Sequence, residues 1–234
     1  MAPKAPIYIC YSFKFTDHQQ IDFEMKIDPR TLELIQPIQG PPPAWTALDH
    51  QRCSNCNLNP ETSPHCPLAL NLVEIVNAME GLLSYENVRL ETIVEARQII
   101  QETTVQQAAR SLMGLRIATS GCPHTKFFKP MARFHLPLST TEETVYRATT
   151  AYLLSQYFKI IDGRPADFNL SGLTRIYEQI RIINVHVANL LRSAVASDPA
   201  INAVILLDIF SQSLPMVIEE SLDSIRYLYE AMTL

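Results

Sequence analysis

Residues 36–67 cannot form regular secondary structure, and this interruption divides the chain into two parts with different hydrophobic periodicity. Proline removes backbone N–H donors and breaks helices. It recurs through the stretch at Pro37, Pro41, Pro42, Pro43, Pro60, Pro64 and Pro67. The same stretch contains the only tryptophan, Trp45, but few other large apolar side chains. A loop of this length inside a compact domain needs a source of order other than a hydrophobic core.

The residues before this interruption alternate between apolar and polar side chains, as half-buried strands do. The alternation runs through 7–15 and again through 21–27, with a polar turn between them. Asp28-Pro29-Arg30 predicts a second turn, because proline presets the first corner of a type I turn. A short third strand is expected over 32–35. We therefore predict a β-meander within residues 1–40.

Helical periodicity takes over after the interruption. Apolar residues recur at spacings of three and four over 68–83. Further helices are predicted over 104–117, 141–160, 170–197 and 200–231. Ser139-Thr140-Thr141-Glu142-Glu143 is a helix start signal, with a hydroxyl N-cap and acids in the first turn. A strand at about 88–94 is expected to join the N-terminal sheet.

These patterns predict an α+β fold, because period-two segments come first and helical segments follow. The expected order is an antiparallel β-meander over 1–40, a Cys-rich metal-binding loop over 41–67 and a mainly helical region over 68–234 that ends in a bundle. At 234 residues and 47% hydrophobic composition, the chain can bury a core large enough for one compact domain.

Charge and hydropathy exclude some classes of partner. The net charge is −5 and the basic residues are scattered, which argues against a nucleic-acid surface. No apolar run reaches the roughly 18 residues that span a bilayer, and no signal-peptide core follows the start. We expect a cytoplasmic protein, whose cysteines serve as ligands or free thiols. It would bind a protein or small-molecule partner, and a homo-oligomer is compatible with this composition.

Cysteine spacing predicts a metal site. Cys53-Ser-Asn-Cys56 is a Cys-x₂-Cys pair, which lets two thiolates from one tight turn bind one ion. Cys66 is the natural third ligand, and Cys122 is the preferred fourth, with His65, His124 and His135 as alternates. Zinc in a closed tetrahedral site is the expected metal. An iron–sulfur cluster is the alternative, because Cys66 and Cys122 each precede a proline, as one ferredoxin-type cysteine does.

Other chemistry is also open to the 119–137 segment. Cys122 with His124 and His135 combines a thiol with candidate bases, the elements of a Cys-dependent enzyme. A pocket for an anion or small ligand could instead form around Arg133, helped by Arg97, Arg110 or Arg116. The sequence does not say whether the chain is an enzyme.

Two motif groups resemble an uncharacterised family of bacterial proteins. One is Ser120-Gly-Cys-Pro-His124 with Met131-Ala-Arg-Phe-His-Leu-Pro137, and the other is Cys53 and Cys56 with His65-Cys66-Pro67-Leu68. The resemblance runs over most of the chain and implies a common architecture, but it transfers no activity. From the residues, the first hypothesis is a zinc-stabilised binding or regulatory module. The alternatives are an iron–sulfur redox protein or sensor and an enzyme centred on Cys122.

Overall fold

The computed structural model describes residues 5–35, 40–194 and 198–232 and shows an α+β fold. Two antiparallel hairpins form one four-stranded sheet. The strands are β1 (Ile7–Lys14), β2 (Gln20–Ile27), β3 (Asn87–Val94) and β4 (Arg97–Thr104). Their order across the sheet is β2-β1-β3-β4. This confirms the predicted fold class and the antiparallel sheet at the N-terminus.

Six α-helices lie within the described part of the chain. Five of them lie where the sequence predicts a helix, and the exception is the short helix Lys129–Arg133. The six are α1 (Pro67–Ala78), α2 (Val105–Ala118), α3 (Lys129–Arg133), α4 (Thr141–Ile161), α5 (Ser171–Ala194) and α6 (Asp198–Ser224). Short 3-10 helices cover Ala44–Thr46, Pro123–Phe128 and Arg226–Met232. None of the described helices is both long and apolar enough to cross a membrane.

The alternating pattern places one face of the sheet in the core. In β1, Ile9, Tyr11 and Phe13 are almost completely buried, whereas Lys14 on the other face pairs with Glu91 at 2.8 Å. Buried residues of β2 and β3 extend this face, and α1 and α2 contribute to the same core. The period-two signal was therefore reliable where a strand has one buried face.

The predicted β-meander is wrong in its third strand. Residues 32–35 make only an isolated bridge, between Leu34 and Ile27. Leu32 has a positive φ of 56°, which is not the extended backbone of a strand. The amide of Leu34 then donates to the carbonyl of Thr119, 3.0 Å away, at the end of α2.

The fourth strand of the sheet is β4 instead, which the sequence did not indicate. It pairs with β3 from Arg97 opposite Val94 to Thr104 opposite Asn87. Most of its side chains are exposed, unlike those of β2 at the opposite edge of the sheet. A strand without a buried face lacks the apolar alternation from which strands are predicted.

Hydrogen bonds within the loop itself order part of the Pro-rich stretch. Leu48 is buried, and its amide donates to the carbonyl of Pro64 at 2.9 Å. The Cys66 amide donates to the carbonyl of Thr46 at 2.8 Å, and the Thr46 hydroxyl bonds His65 Nδ1 at 2.8 Å. A short antiparallel contact between 46–48 and 64–66 therefore closes the loop. The loop thus has a source of order that requires no metal, which the sequence did not indicate.

Candidate functional site

Four cysteines from three separate segments line one small cavity. Cys53 and Cys56 come from the loop, Cys66 from the residue before α1, and Cys122 from the residue before the 3-10 helix Pro123–Phe128. The cavity has a volume of about 20 Å³ and is closed on one side by α5, through Ile183, His186, Val187 and Leu190. All four are free thiols. The fifth cysteine, Cys10, lies on β1 and does not line this cavity.

The Cys53–Cys56 segment is a tight turn anchored at several points. The Cys56 amide donates to the Cys53 carbonyl at 3.0 Å, which closes the turn. Arg52 Nη2 donates to the carbonyl of Leu58 at 2.6 Å. Asn55 Nδ2 donates to Oε1 of Gln179 on α5 at 2.9 Å. The turn is thus held against α5 by contacts that involve no cysteine sulfur.

Cys66 and Cys122 occupy equivalent local positions, because each is the residue before a helix that begins with proline. Neither side chain makes a capping hydrogen bond. The amides of Leu68 and Ala69 nevertheless act to lower the pKa of Cys66, and those of His124 and Thr125 act likewise on Cys122. The first amides of a helix favour a negative charge. These amides offset part of the larger effect of burial on the pKa of the two thiols.

Burial opposes ionisation of the same thiols. The pKa of Cys53 is raised to about 12, first by burial and then by the nearby thiols of Cys66, Cys122 and Cys56. The pKa of Cys122 is raised to about 11, chiefly by burial. Burial also raises the pKa of Cys66. A protonated Cys122 is a poor nucleophile, so these surroundings argue against the Cys-dependent enzyme.

The thiols share one cavity without forming a finished metal site. Among residues 5–35, 40–194 and 198–232, no three His, Cys, Asp or Glu side chains are arranged to hold a metal ion. The sulfurs would have to move closer together to bind one.

The three alternate histidines have different surroundings. His65 lies outside the cavity and bonds Thr46 through Nδ1. His124 lines the cavity, but its Nε2 bonds the carbonyl of Asn55 at 2.8 Å. His135 is remote from the cysteines and bonds the hydroxyl of Tyr11. His186, on α5, lines the cavity and was not considered as a ligand from the sequence, since it sits in a strongly apolar helix.

The arginines of the predicted anion pocket do not meet around Arg133. Arg133 pairs with Glu95 at 3.0 Å, and Arg116 pairs with Glu74. Arg97 lies on the edge strand β4. Only Arg110 reaches a second, larger cavity, where Arg147 joins it. Arg147 lies in the helical pattern of α4, and nothing in that pattern assigns its side chain to this cavity.

Comparison with known families places the chain in one of them. A family model, described as a domain of unknown function (DUF6901), matches residues 9–230. The chain belongs to this family. The match includes the sheet, the cysteine loop and almost all of the helical region, as the sequence resemblance implied. No curated protein and no solved structure gave a significant match. The description of the DUF6901 family names no activity, so a function can be inferred only from the side chains.

Proposed function

We propose that this chain is a zinc-stabilised binding module in which Cys53, Cys56, Cys66 and Cys122 hold one Zn²⁺ ion. The observation that supports the proposal is the meeting of these four thiols at one cavity, although they come from three separated segments. Four thiolates are a common ligand set for structural zinc. No other described residue needs to move into the cavity to complete the set.

A bound cation would change the protonation of these thiols. Burial and mutual repulsion raise the pKa of these thiols, which is unfavourable for thiolates without a neighbouring positive charge. A divalent cation reverses that balance, because a coordinated thiol loses its proton. The helix-start amides near Cys66 and Cys122 would then add to the stabilisation of the thiolates.

The size of the cavity favours a single ion over a cluster. Its volume is about 20 Å³, and a single water already needs roughly 10–15 Å³. This space suits one zinc ion better than several iron and sulfide ions. An iron–sulfur protein remains the second outcome of the test below.

A closed set of four cysteines would leave zinc no open coordination position, which is typical of structural rather than catalytic zinc. The ion would join the loop to the starts of α1 and of the 3-10 helix Pro123–Phe128. In this proposal zinc shapes the protein, and the module acts by binding a partner in a reducing compartment such as the cytoplasm.

The test is metal analysis of protein purified without oxygen, together with a visible absorption spectrum. We expect about one zinc per chain and no visible colour. Cys122→Ser should lose the metal, whereas Cys10→Ser should retain it, since Cys10 lies on β1 outside the cavity. Iron in the metal analysis, together with absorption near 400 nm, would show an iron–sulfur cluster instead of zinc. Metal-free protein, or full zinc in Cys122→Ser, would contradict the proposed site.

A further inference from the structure

A second cavity lies between helices and does not include residues of the cysteine loop. It has a volume of about 180 Å³. Residues of α2, α3, α5 and α6 line it, together with the start of α4. None of the four clustered cysteines is among its lining residues. Whatever it holds is therefore independent of the metal proposed above.

Most of the cavity wall is apolar. Leu115 and Ile117 of α2 contribute to it, with Phe128, Leu136, Ile180 and Leu207 from the surrounding segments. An engineered apolar cavity of about 150 Å³ in another protein binds benzene. A cavity of about 180 Å³ therefore has room for a six-membered ring or a branched chain of similar size, with a small polar group attached.

The charged groups on the wall have one sign. Arg110 and Arg147 both line the cavity, and no Asp or Glu is among the lining residues that the structure describes. Burial lowers the pKa of both guanidinium groups, yet an arginine in a protein stays charged. Glu143, one turn before Arg147 on α4, acts electrostatically on Arg147, whereas only burial acts on Arg110. A partly buried cation at an apolar wall is costly unless an anion accompanies it, and this applies above all to Arg110.

The two arginines differ in what already holds them. Arg147 Nη2 donates to the carbonyls of Met131 at 2.6 Å and Phe134 at 3.1 Å, which fixes its direction. A guanidinium has five N–H donors, so Arg147 keeps others for a ligand. No hydrogen bond or ion pair joins the Arg110 side chain to another described residue. The part of the chain that the structure describes therefore leaves the Arg110 donors unengaged at the cavity wall.

Neutral polar groups complete the lining. Asn184 Nδ2 donates to the Ser211 hydroxyl at 3.2 Å, and both residues line the cavity. Thr140, Thr141 and Thr144 place the start of α4 at the wall. Glu142 and Glu143 in the first turn already compensate the positive end of this helix, so the arginines are the groups that attract an anion. The neutral polar groups offer orientation without adding negative charge.

We propose that this cavity binds a small monocarboxylate with an aromatic or branched apolar body, its carboxylate held by Arg110 and Arg147. The apolar body fills the space between α2, α5 and α6, and the carboxylate faces the two guanidinium groups. Arginine suits this role because its planar donors match the two oxygens of a carboxylate.

The test compares benzoate with benzamide by isothermal titration calorimetry on the full chain. The two probes have nearly the same shape, but only benzoate is charged. We expect benzoate to bind, and benzamide to bind at least about tenfold more weakly, since a hydrogen bond to a charged group is among the stronger ones. Equal binding of the two probes, or no benzoate binding, would overturn the proposal. Tight binding of inorganic phosphate alone would overturn the apolar part of it.

A matched pair of variants locates the binding. Arg110→Gln should weaken benzoate binding about tenfold or more, whereas Arg181→Gln, at an exposed position on α5, should leave it unchanged. Far-UV circular dichroism of both variants checks that each is folded. Arg110→Lys, which keeps the charge but loses the planar fork, should fall between wild type and Arg110→Gln. Unchanged binding in a folded Arg110→Gln variant would rule out this site.

Discussion

At the residue scale, His135 is a titratable group held in a partly buried hydrogen-bond chain. Tyr11, which is 0% exposed, bonds both His135 Nε2 and the Ser111 hydroxyl, the latter at 2.8 Å. The Ser111 hydroxyl also accepts the amide of Leu138 at 3.0 Å. Burial, with a smaller contribution from Arg147, lowers the pKa of His135 to about 3. The folded protein therefore holds this imidazole neutral.

The consequence for stability follows from the unfolded chain, in which a histidine has a pKa of about 6.5. Between pH of about 6.5 and 3 the unfolded state binds a proton that the folded state does not. The contribution of neutral His135 to the free energy of unfolding is thus fully present above about pH 6.5 and is lost as the pH falls towards about 3. We expect the free energy of unfolding to decrease by up to about 2 kcal/mol from this group between pH 7 and 5.

Urea denaturation of wild type and His135→Gln at pH 7 and pH 5 measures this effect. Glutamine can still bond the Tyr11 hydroxyl, but it does not titrate, so the variant should lose less stability on acidification. The difference between the two pH dependences isolates His135 from all other titrating groups. Identical pH dependences would mean that His135 is protonated in the folded protein near pH 5.

At the element scale, the start of α5 depends on one glycine beside a carboxylate. Asp167 accepts the Tyr152 hydroxyl at 2.7 Å and the Gly172 amide at 2.7 Å. The Tyr152 hydrogen bond is the main reason that the pKa of Asp167 is lowered to about 2. A Cβ atom added at Gly172 would lie 2.0 Å from the Tyr152 hydroxyl oxygen. The side chain of Tyr152 is buried and cannot simply swing away.

Gly172→Ala should therefore destabilise the protein by about 1–3 kcal/mol, the usual cost of overpacking. Gly114→Ala is the matched control, because its added Cβ would lie 3.8 Å from Leu207 Cδ2, an ordinary contact. Within α2 that change should stabilise the helix by roughly 0.5–1 kcal/mol. Thermal melts of the two variants should shift in opposite directions. A melting temperature of Gly172→Ala equal to that of wild type would contradict this packing.

Elements whose signals are local were predictable from the sequence. The capping box that begins α4 is one case, since Thr140 Oγ1 accepts the Glu143 amide and the Glu143 carboxylate accepts the Thr140 amide. β4 was missed because its exposed side chains carry no alternation. The cavity with Arg110 and Arg147 was missed for another reason. Its lining comes from helices that are distant in sequence, and how these helices pack together cannot be predicted from a local sequence pattern.

At the scale of the whole molecule, the cysteine loop connects the two halves of the fold. One end of it carries the short contact between 46–48 and 64–66. Its middle, with Cys53 and Cys56, is bonded to Gln179 of α5 and to His124. The described hydrogen bonds from this middle part to the rest of the protein all involve Asn55. Loss of the proposed metal should therefore release the middle of the loop before its ends.

Limited digestion with trypsin measures whether the middle of the loop is released. Arg52 is the only lysine or arginine between Arg30 and Arg89, so cleavage within the loop can occur at one bond only. In the folded protein the Arg52 side chain is held by the carbonyl of Leu58 at 2.6 Å. Cys56→Ser should lose the metal and leave Arg52 open to cleavage, giving fragments 1–52 and 53–234. Cys10→Ser, which keeps all four proposed ligands, should resist trypsin like wild type.

The helical region should stay folded in Cys56→Ser, because its apolar faces form a core without the loop. Far-UV circular dichroism should thus change little while cleavage at Arg52 accelerates, since a segment with few apolar residues loses order when its metal crosslink is removed. Equal digestion of Cys56→Ser and wild type would show that the thiols do not order the loop. Loss of the helical signal would mean instead that the proposed crosslink between the loop, α1 and the 3-10 helix Pro123–Phe128 holds the whole molecule together.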